Sequence, residues 1–181
     1  ERTLVVDTII SASLITVMTL MGIITAKKKG ISLAVFPIKH SSIYAFATLI
    51  EAALLILTPF ITGDKSLFAI SSLLYSAVIT PVFEELIFRG YIWNKLEERF
   101  DRRLIPYIIT TLLFALWHVG YIDTVIFRMT FRLASDQVAF VMLMKVVTGL
   151  FFGIILGAVR YKSRNCYSTI ILHGVMNIFG R

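Results

Sequence analysis

The sequence predicts an all-α fold, a polytopic transmembrane bundle of about six helices that encloses a polar intramembrane site. Three observations carry that expectation. The chain of 181 residues is 57% hydrophobic and only 16% charged, with a mean hydropathy of +0.84, values that suit a membrane-embedded chain and not a water-soluble domain. Apolar runs long enough to cross a bilayer recur along its length. The basic residues cluster between those runs. A formal net charge of +7 would otherwise suggest nucleic acid, but basic clusters between apolar segments mark membrane topology instead. The expected partner is therefore the lipid bilayer, with no nucleic acid.

The first span is Leu4–Thr25, with Asp7 near its outer end and expected at the interface. It is too long, and lacks the basic lead-in, for a cleavable signal. Lys27, Lys28 and Lys29 close it, and the positive-inside rule places them in the cytoplasm. Gly30–Ser42 reads as a loop or a surface helix, with His40 beside Lys39 and solvated. The second span is Ile43–Ile61, and it contains Glu51. The third runs from Leu67 to about Trp93 and continues into solvent as Asn94–Phe100. Pro81 lies inside it and is expected to kink it, either opening room for water or only adjusting packing.

A polar tip, Lys95–Arg103, turns the chain into the fourth span, Leu104–Val119, with Gly120 as the expected stop. In Tyr121–Gln137, Arg128 and Arg132 are spaced i,i+4 among apolar residues, the pattern of an interfacial helix. The fifth span is Val138–Val159, with Lys145 inside it and Gly149, Gly153 and Gly157 at every fourth position. Such a stripe lets a neighbouring helix approach closely. The last segment, Tyr167–Phe179, is short for a crossing. Glu51 and Lys145 read as structural residues that seek partners within the bundle. The whole is one domain, 1–181, with N-terminal spans over 1–66 and a motif-bearing core over 67–181. Its single cysteine, Cys166, excludes an intrachain disulfide and reads as a buried or reduced thiol.

Within the third span, Glu84 and Glu85 stand side by side in an apolar run, followed by Arg89. Ionisable groups inside a membrane are costly and usually functional. Glu85 and Arg89 have the i,i+4 spacing and order of a helical ion pair. Glu84 points about 100° away and has no such local partner, so the duplicated acid divides into a neutralised member and one free for chemistry, unless both belong to a single structural cluster.

Rise arithmetic brings distant residues to one depth. Glu84 and His118 each lie seventeen positions from Asp101, at the centre of the polar tip, so antiparallel arms set them at equal height. At ~1.5 Å per residue, Glu84 and His173 both lie about 14 Å below the cytoplasmic side, and Asn177 is one turn deeper on the face of His173. A carboxylate, two imidazoles and a carboxamide supply what amide hydrolysis needs. Glu84 can take a proton from water, His118 can hold that water, and His173 with Asn177 can donate to the oxyanion. Glu84, His118 and His173 also provide the oxygen and nitrogen ligands that zinc accepts, so a metal stays open as a cofactor. There is no His-Glu-x-x-His helix to support it.

The segments Glu84-Glu85-Leu86-Ile87-Phe88-Arg89, Phe114-Ala115-Leu116-Trp117-His118 and His173-Gly174-Val175-Met176-Asn177 resemble, in order, the three motifs of the CaaX-protease and bacteriocin-processing (CPBP) family. These intramembrane proteases include the type II CaaX prenyl endopeptidases. The resemblance covers about Leu67 to Phe179 and implies a helical intramembrane endopeptidase whose site faces the cytoplasm. It implies that Glu84 and His118 activate water, that His173 and Asn177 stabilise the oxyanion, and that Glu85, Arg89 and Phe114 support them. Substrates in such a family are peptides or lipidated proteins, among them prenylated CaaX proteins, and many members are named metalloproteases. The membrane implied is the plasma membrane of a prokaryote or the endoplasmic reticulum of a eukaryote. The alternative is a non-catalytic immunity or scaffold protein of the same fold. A proton-coupled transporter is a third class, but the inverted repeats expected of one are not evident.

Overall fold

The computed structural model describes residues 2–37, 42–130 and 137–180. Every regular element among them is helical. We number the helices α1 (Leu4–Lys28), α2 (Ser42–Ile61), α3 (Leu67–Arg99), α4 (Leu104–Trp117), α5 (Ile122–Thr130), α6 (Val138–Ser163) and α7 (Cys166–Phe179). Five runs are long and apolar enough to cross a membrane, namely α1, α2, α3, α4 continued through α5 to Met129, and α6. Their outward faces carry large bare side chains, among them Leu14, Phe46, Phe140 and Phe151. In a bilayer that surface meets lipid instead of water. Along α1, the hydroxyls of Thr8, Ser13, Thr16 and Thr19 each donate to the carbonyl four residues back, so these four are satisfied without water.

The most enclosed span is α3 and the least enclosed is α2. α3 is continuous through Pro81 but widens into π-helical turns at Tyr75–Ile79 and Leu86–Ile92. The first has a direct cause. In its wide turn the Thr80 N–H reaches back to the Tyr75 carbonyl, and the next donor in that series would be residue 81. Proline has no N–H, so the Ser76 carbonyl is freed, and the Asn177 amide from α7 donates to it at 2.8 Å.

α4 packs along α6, where the glycine stripe is indispensable. A Cβ on Gly149 would meet the His118 ring, one on Gly153 would meet Thr111, and one on Gly157 would meet Tyr107. A left-handed residue, Arg164 (φ 59°), ends α6, and the Asn165 side chain caps α7 by accepting from the Ser168 N–H. The backbone N–H groups of Cys166 and Tyr167 donate to Ala34 and Val35 at 2.8 Å. This ties the start of α7 to the irregular stretch that follows α1 and buries the Cys166 thiol, as expected.

Several expectations change. Gly120 does not stop the fourth span: a 3-10 turn, His118–Tyr121, re-aims the chain and carries it into α5. Asp7, expected at the interface at the outer end of α1, is enclosed by protein at 7% exposure. It pairs with Arg2 at 2.6 Å, and Arg2 also reaches Asp123 of α5 at 2.7 Å, so the start of α1 is clamped to α5. Of the two readings of Gly30–Ser42, loop or surface helix, Ile31–Pro37 follows the first. His40, Lys39 and Arg132 lie outside the described residues.

Candidate active site

The polar residues of the third span are enclosed by protein. Glu84 is 1% exposed, Glu85 and Arg89 are 0%, and His173 is 2%. Arg89 donates to Glu85 Oε1 at 3.0 Å, the ion pair expected from the i,i+4 spacing. Its second nitrogen donates to the Gly153 carbonyl at 3.3 Å, and its guanidinium lies 4.3 Å from the centre of the Phe114 ring. A charge buried this deeply must be paired and hydrogen-bonded to be tolerated, and this one has a carboxylate, a carbonyl and an aromatic face.

Glu84 is not free of partners, which corrects the reading of an unengaged acid. The Trp117 indole donates to Glu84 Oε1 at 2.9 Å, and the Tyr121 hydroxyl donates to the same oxygen at 2.7 Å. Both donors come from the end of α4, where the 3-10 turn holds them over α3. One carboxylate oxygen is thus fixed by two donors, while Oε2 faces His173 Nε2 at 3.8 Å. That gap is too long for a hydrogen bond.

The tautomers of both imidazoles follow from their partners. His118 Nδ1 lies 2.8 Å from the Phe114 carbonyl. A carbonyl only accepts, so Nδ1 carries the proton and Nε2 presents its lone pair. His173 Nδ1 lies 3.1 Å from Glu85 Oε1, the oxygen already bound to Arg89. Nδ1 donates there too, and Nε2 is turned toward Glu84. Phe114 joins the two rings: it meets His118 edge-on at 5.0 Å and His173 at 5.6 Å between centroids. The Tyr121 ring lies 5.7 Å from that of His118. Glu84 and His173 therefore meet directly, and His118 adjoins them across Phe114 and Tyr121. Asn177 is a turn away, with one amide hydrogen committed to Ser76.

Zinc is held by three or four His, Cys, Asp or Glu ligands at one point. Among the described residues no three His, Cys, Asp or Glu groups converge at metal-ligand spacing, and Glu84 Oε1 is occupied by the Trp117 and Tyr121 donors. No step below is routed through a metal.

Trp117, Tyr121 and the Ser76 carbonyl were not singled out from sequence. The count from Asp101 that sets His118 opposite Glu84 leaves Trp117 one residue off that level, and Tyr121 follows Trp117 by four, on the same face. Glu51, expected to find a structural partner, sets its carboxylate against Gly174, in space that a Cβ there would fill, and the Ala77 carbonyl borders the same space. Lys145 lies over the Tyr121 ring, 5.5 Å from its centre.

Residues 66–179 match the model of a protein family described as Type II CAAX prenyl endopeptidase Rce1-like. No curated protein and no solved structure matches the chain.

Proposed function

The chain belongs to the Rce1-like type II CAAX prenyl endopeptidase family and is an integral membrane protein, and from that premise we propose that it is an intramembrane endopeptidase in which Glu84 is the general base. The observation that carries this reading is the disposition of the Glu84 carboxylate. Oε1 is held by Trp117 and Tyr121, and Oε2 faces His173 across 3.8 Å. A water beside Oε2 has its acceptor prepositioned, and orientation of this kind accounts for much of enzymatic rate enhancement.

The steps follow from the chain's own groups. Water gives a proton to Glu84 Oε2 while the His118 Nε2 lone pair accepts a hydrogen bond from the O–H that remains. The hydroxide oxygen attacks the scissile carbonyl carbon. The developing oxyanion is met by His173 and by the Asn177 amide hydrogen not used on Ser76. Glu84 then returns its proton to the leaving nitrogen as the C–N bond breaks. Glu85, Arg89 and Phe114 support His173 and His118 from behind. The substrate class is a peptide presented at the membrane, with C-terminal CaaX-type prenylated chains as the leading candidates, and the basic loops support a site facing the cytoplasm.

The test is cleavage of prenylated and unprenylated peptides by the full chain in lipid, with and without chelator. Cleavage that persists in chelator is expected. Glu84→Gln should lower kcat by at least about 10²-fold, the scale of general-base catalysis, with the fold retained. A Glu84→Gln variant as active as the parent, or a biological role that survives loss of both Glu84 and His118, would point to the non-catalytic alternative.

A further inference from the structure

Glu51 is an ionisable side chain within the membrane that takes no part in the steps above. It stands at the middle of α2, nine residues after Ser42 and ten before Ile61. At ~1.5 Å per residue that is about 14 Å from the cytoplasmic end, the depth of Glu84 and His173. α2 is the least enclosed span, and Glu51 on it is half-buried. Tyr44, Thr48, Glu51 and Leu55 recur at helical spacing and share one face of α2. Toward the cytoplasm hydroxyls tie that face to α7: Thr48 and Tyr167 share a hydrogen bond of 2.5 Å, and the Asn165 amide donates to the Tyr44 hydroxyl at 3.2 Å. Deeper, Leu55 packs against the buried cluster of Leu73, Ala77 and Ile178. Glu51 lies between these two attachments.

Its carboxyl group borders Gly174, the residue after His173. The point that a Gly174 Cβ would take lies 2.0 Å from Glu51 Oε1 and 2.6 Å from the Ala77 carbonyl oxygen. Two oxygens thus face one glycine-sized space. In a regular helix the Ala77 carbonyl would accept from the N–H of residue 81, and Pro81 has none. Neither α2 nor α7 carries a lysine or arginine, and Arg89 of α3 is taken by Glu85. An ionised carboxylate in a bilayer is costly, and beside a second acceptor it gains nothing. A protonated carboxyl has an O–H to give, and a carbonyl deprived of its helical donor stands next to it.

We propose that Glu51 is an uncharged carboxylic acid that donates its O–H to the Ala77 carbonyl and so positions His173, clamping α7 between α2 and the wide turn of α3. His173 Nε2 stands 3.8 Å from Glu84 Oε2, and a shift at Gly174 moves the neighbouring imidazole with it. Asn177 is anchored to the Ser76 carbonyl, the one before Ala77. Both groups assigned to the oxyanion therefore hang from adjacent carbonyls of a single turn. Glu51 touches no substrate and acts through His173. The inference rests on the peptidase reading and adds to it a positioning residue on a span outside the residues 66–179 that match the family.

The experiment uses the full chain in lipid nanodiscs and two variants, with unfolding midpoints measured on the same samples. Glu51→Gln keeps an uncharged donor of the same length and should retain most of the parental kcat. Glu51→Leu removes the donor yet suits the bilayer, so the fold should hold while kcat falls about tenfold, within the range for a displaced catalytic group, and KM changes less. Glu51→Leu as active as Glu51→Gln reduces the residue to packing; it overturns the inference and leaves the peptidase reading standing. Glu51→Gln as impaired as Glu51→Leu makes the charge essential and overturns it as well. Infrared difference spectra, parent minus Glu51→Gln, read the protonation state without turnover. The C=O stretch of a protonated carboxyl is expected at neutral pH, and carboxylate bands in its place overturn the inference even if no peptide is cleaved.

Discussion

The Trp117 indole N–H donates to Glu84 Oε1 at 2.9 Å, so the residue just before His118 fixes the rotation of the carboxylate proposed as the base. Tyr121 reaches the same oxygen. Hydrogen bonds to a charged group contribute about 1.5–3 kcal/mol each. Their value here is directional, since Oε2 faces His173 only while Oε1 is held.

Trp117→Phe and Tyr121→Phe are therefore expected to lower kcat roughly tenfold each, since 1.4 kcal/mol corresponds to a factor of ten, with smaller changes in KM. The double variant should lose more than either single one. Steady-state peptide cleavage checks this. A double variant with parental kcat would show that the carboxylate orients itself without them.

The Glu85–Arg89 pair is expected to separate stability from activity. Removing one partner leaves a buried charge without compensation, at a cost of about 3–5 kcal/mol. Glu85→Leu and Arg89→Met should each lower the unfolding midpoint sharply. The combined variant should recover most of that loss, because an apolar pair of similar volume replaces two charges. It should still be inactive, since His173 Nδ1 loses the oxygen that orients it. Thermal unfolding and cleavage measured on the same samples decide the point. A double variant as unstable as the singles would mean that Arg89 is held mainly by the Gly153 carbonyl and the Phe114 face.

What was legible in the sequence was what local spacing encodes. Glu85 and Arg89 are one helical turn apart, and no tertiary knowledge was needed to pair them. The shared depth of Glu84, His118 and His173 followed from helical rise alone, and the structure sets both imidazoles against Phe114 and His173 3.8 Å from Glu84. The donors to Glu84 were hidden because indole and phenol groups in an apolar span read as packing. The acceptor of Asn177 was hidden because it is a backbone carbonyl, Ser76, released by a proline five residues later. Lys145 was read as a residue seeking a partner within the bundle, and the partner, the Tyr121 ring, was not legible because the turn at His118–Tyr121 leaves no periodic signal.

The freed Ser76 carbonyl gives a further expectation. Pro81→Ala restores an N–H that can satisfy that carbonyl within α3, so the Asn177 amide loses its anchor. The wide turn at Tyr75–Ile79 should tighten toward a regular helix, and kcat should fall several-fold while stability holds or rises, because an interior proline costs a helix about 3 kcal/mol. Cleavage assays paired with unfolding midpoints check both halves. A variant with full activity would mean that Asn177 acts independently of its bond to Ser76.

The last expectation concerns glycine as a positioning device. A Cβ at Gly149 would lie 2.7 Å from His118 Nδ1, closer than such atoms approach, so Gly149→Ala must displace the imidazole. His118 has no slack on that side, because Nδ1 is also bonded to the Phe114 carbonyl. A shift of about 1 Å in a catalytic group can cost 10²-fold, and a loss of kcat between tenfold and a hundredfold is expected. Overpacking, at about 1–3 kcal/mol, should outweigh the helix-propensity gain of up to about 1 kcal/mol. Gly22 is the control, since a Cβ there meets nothing within 4 Å. Gly22→Ala should leave cleavage unchanged and stability equal or higher. If Gly149→Ala keeps full activity while Gly22→Ala behaves as expected, the exact seat of the His118 ring does not matter for water activation, and His173 alone assists Glu84.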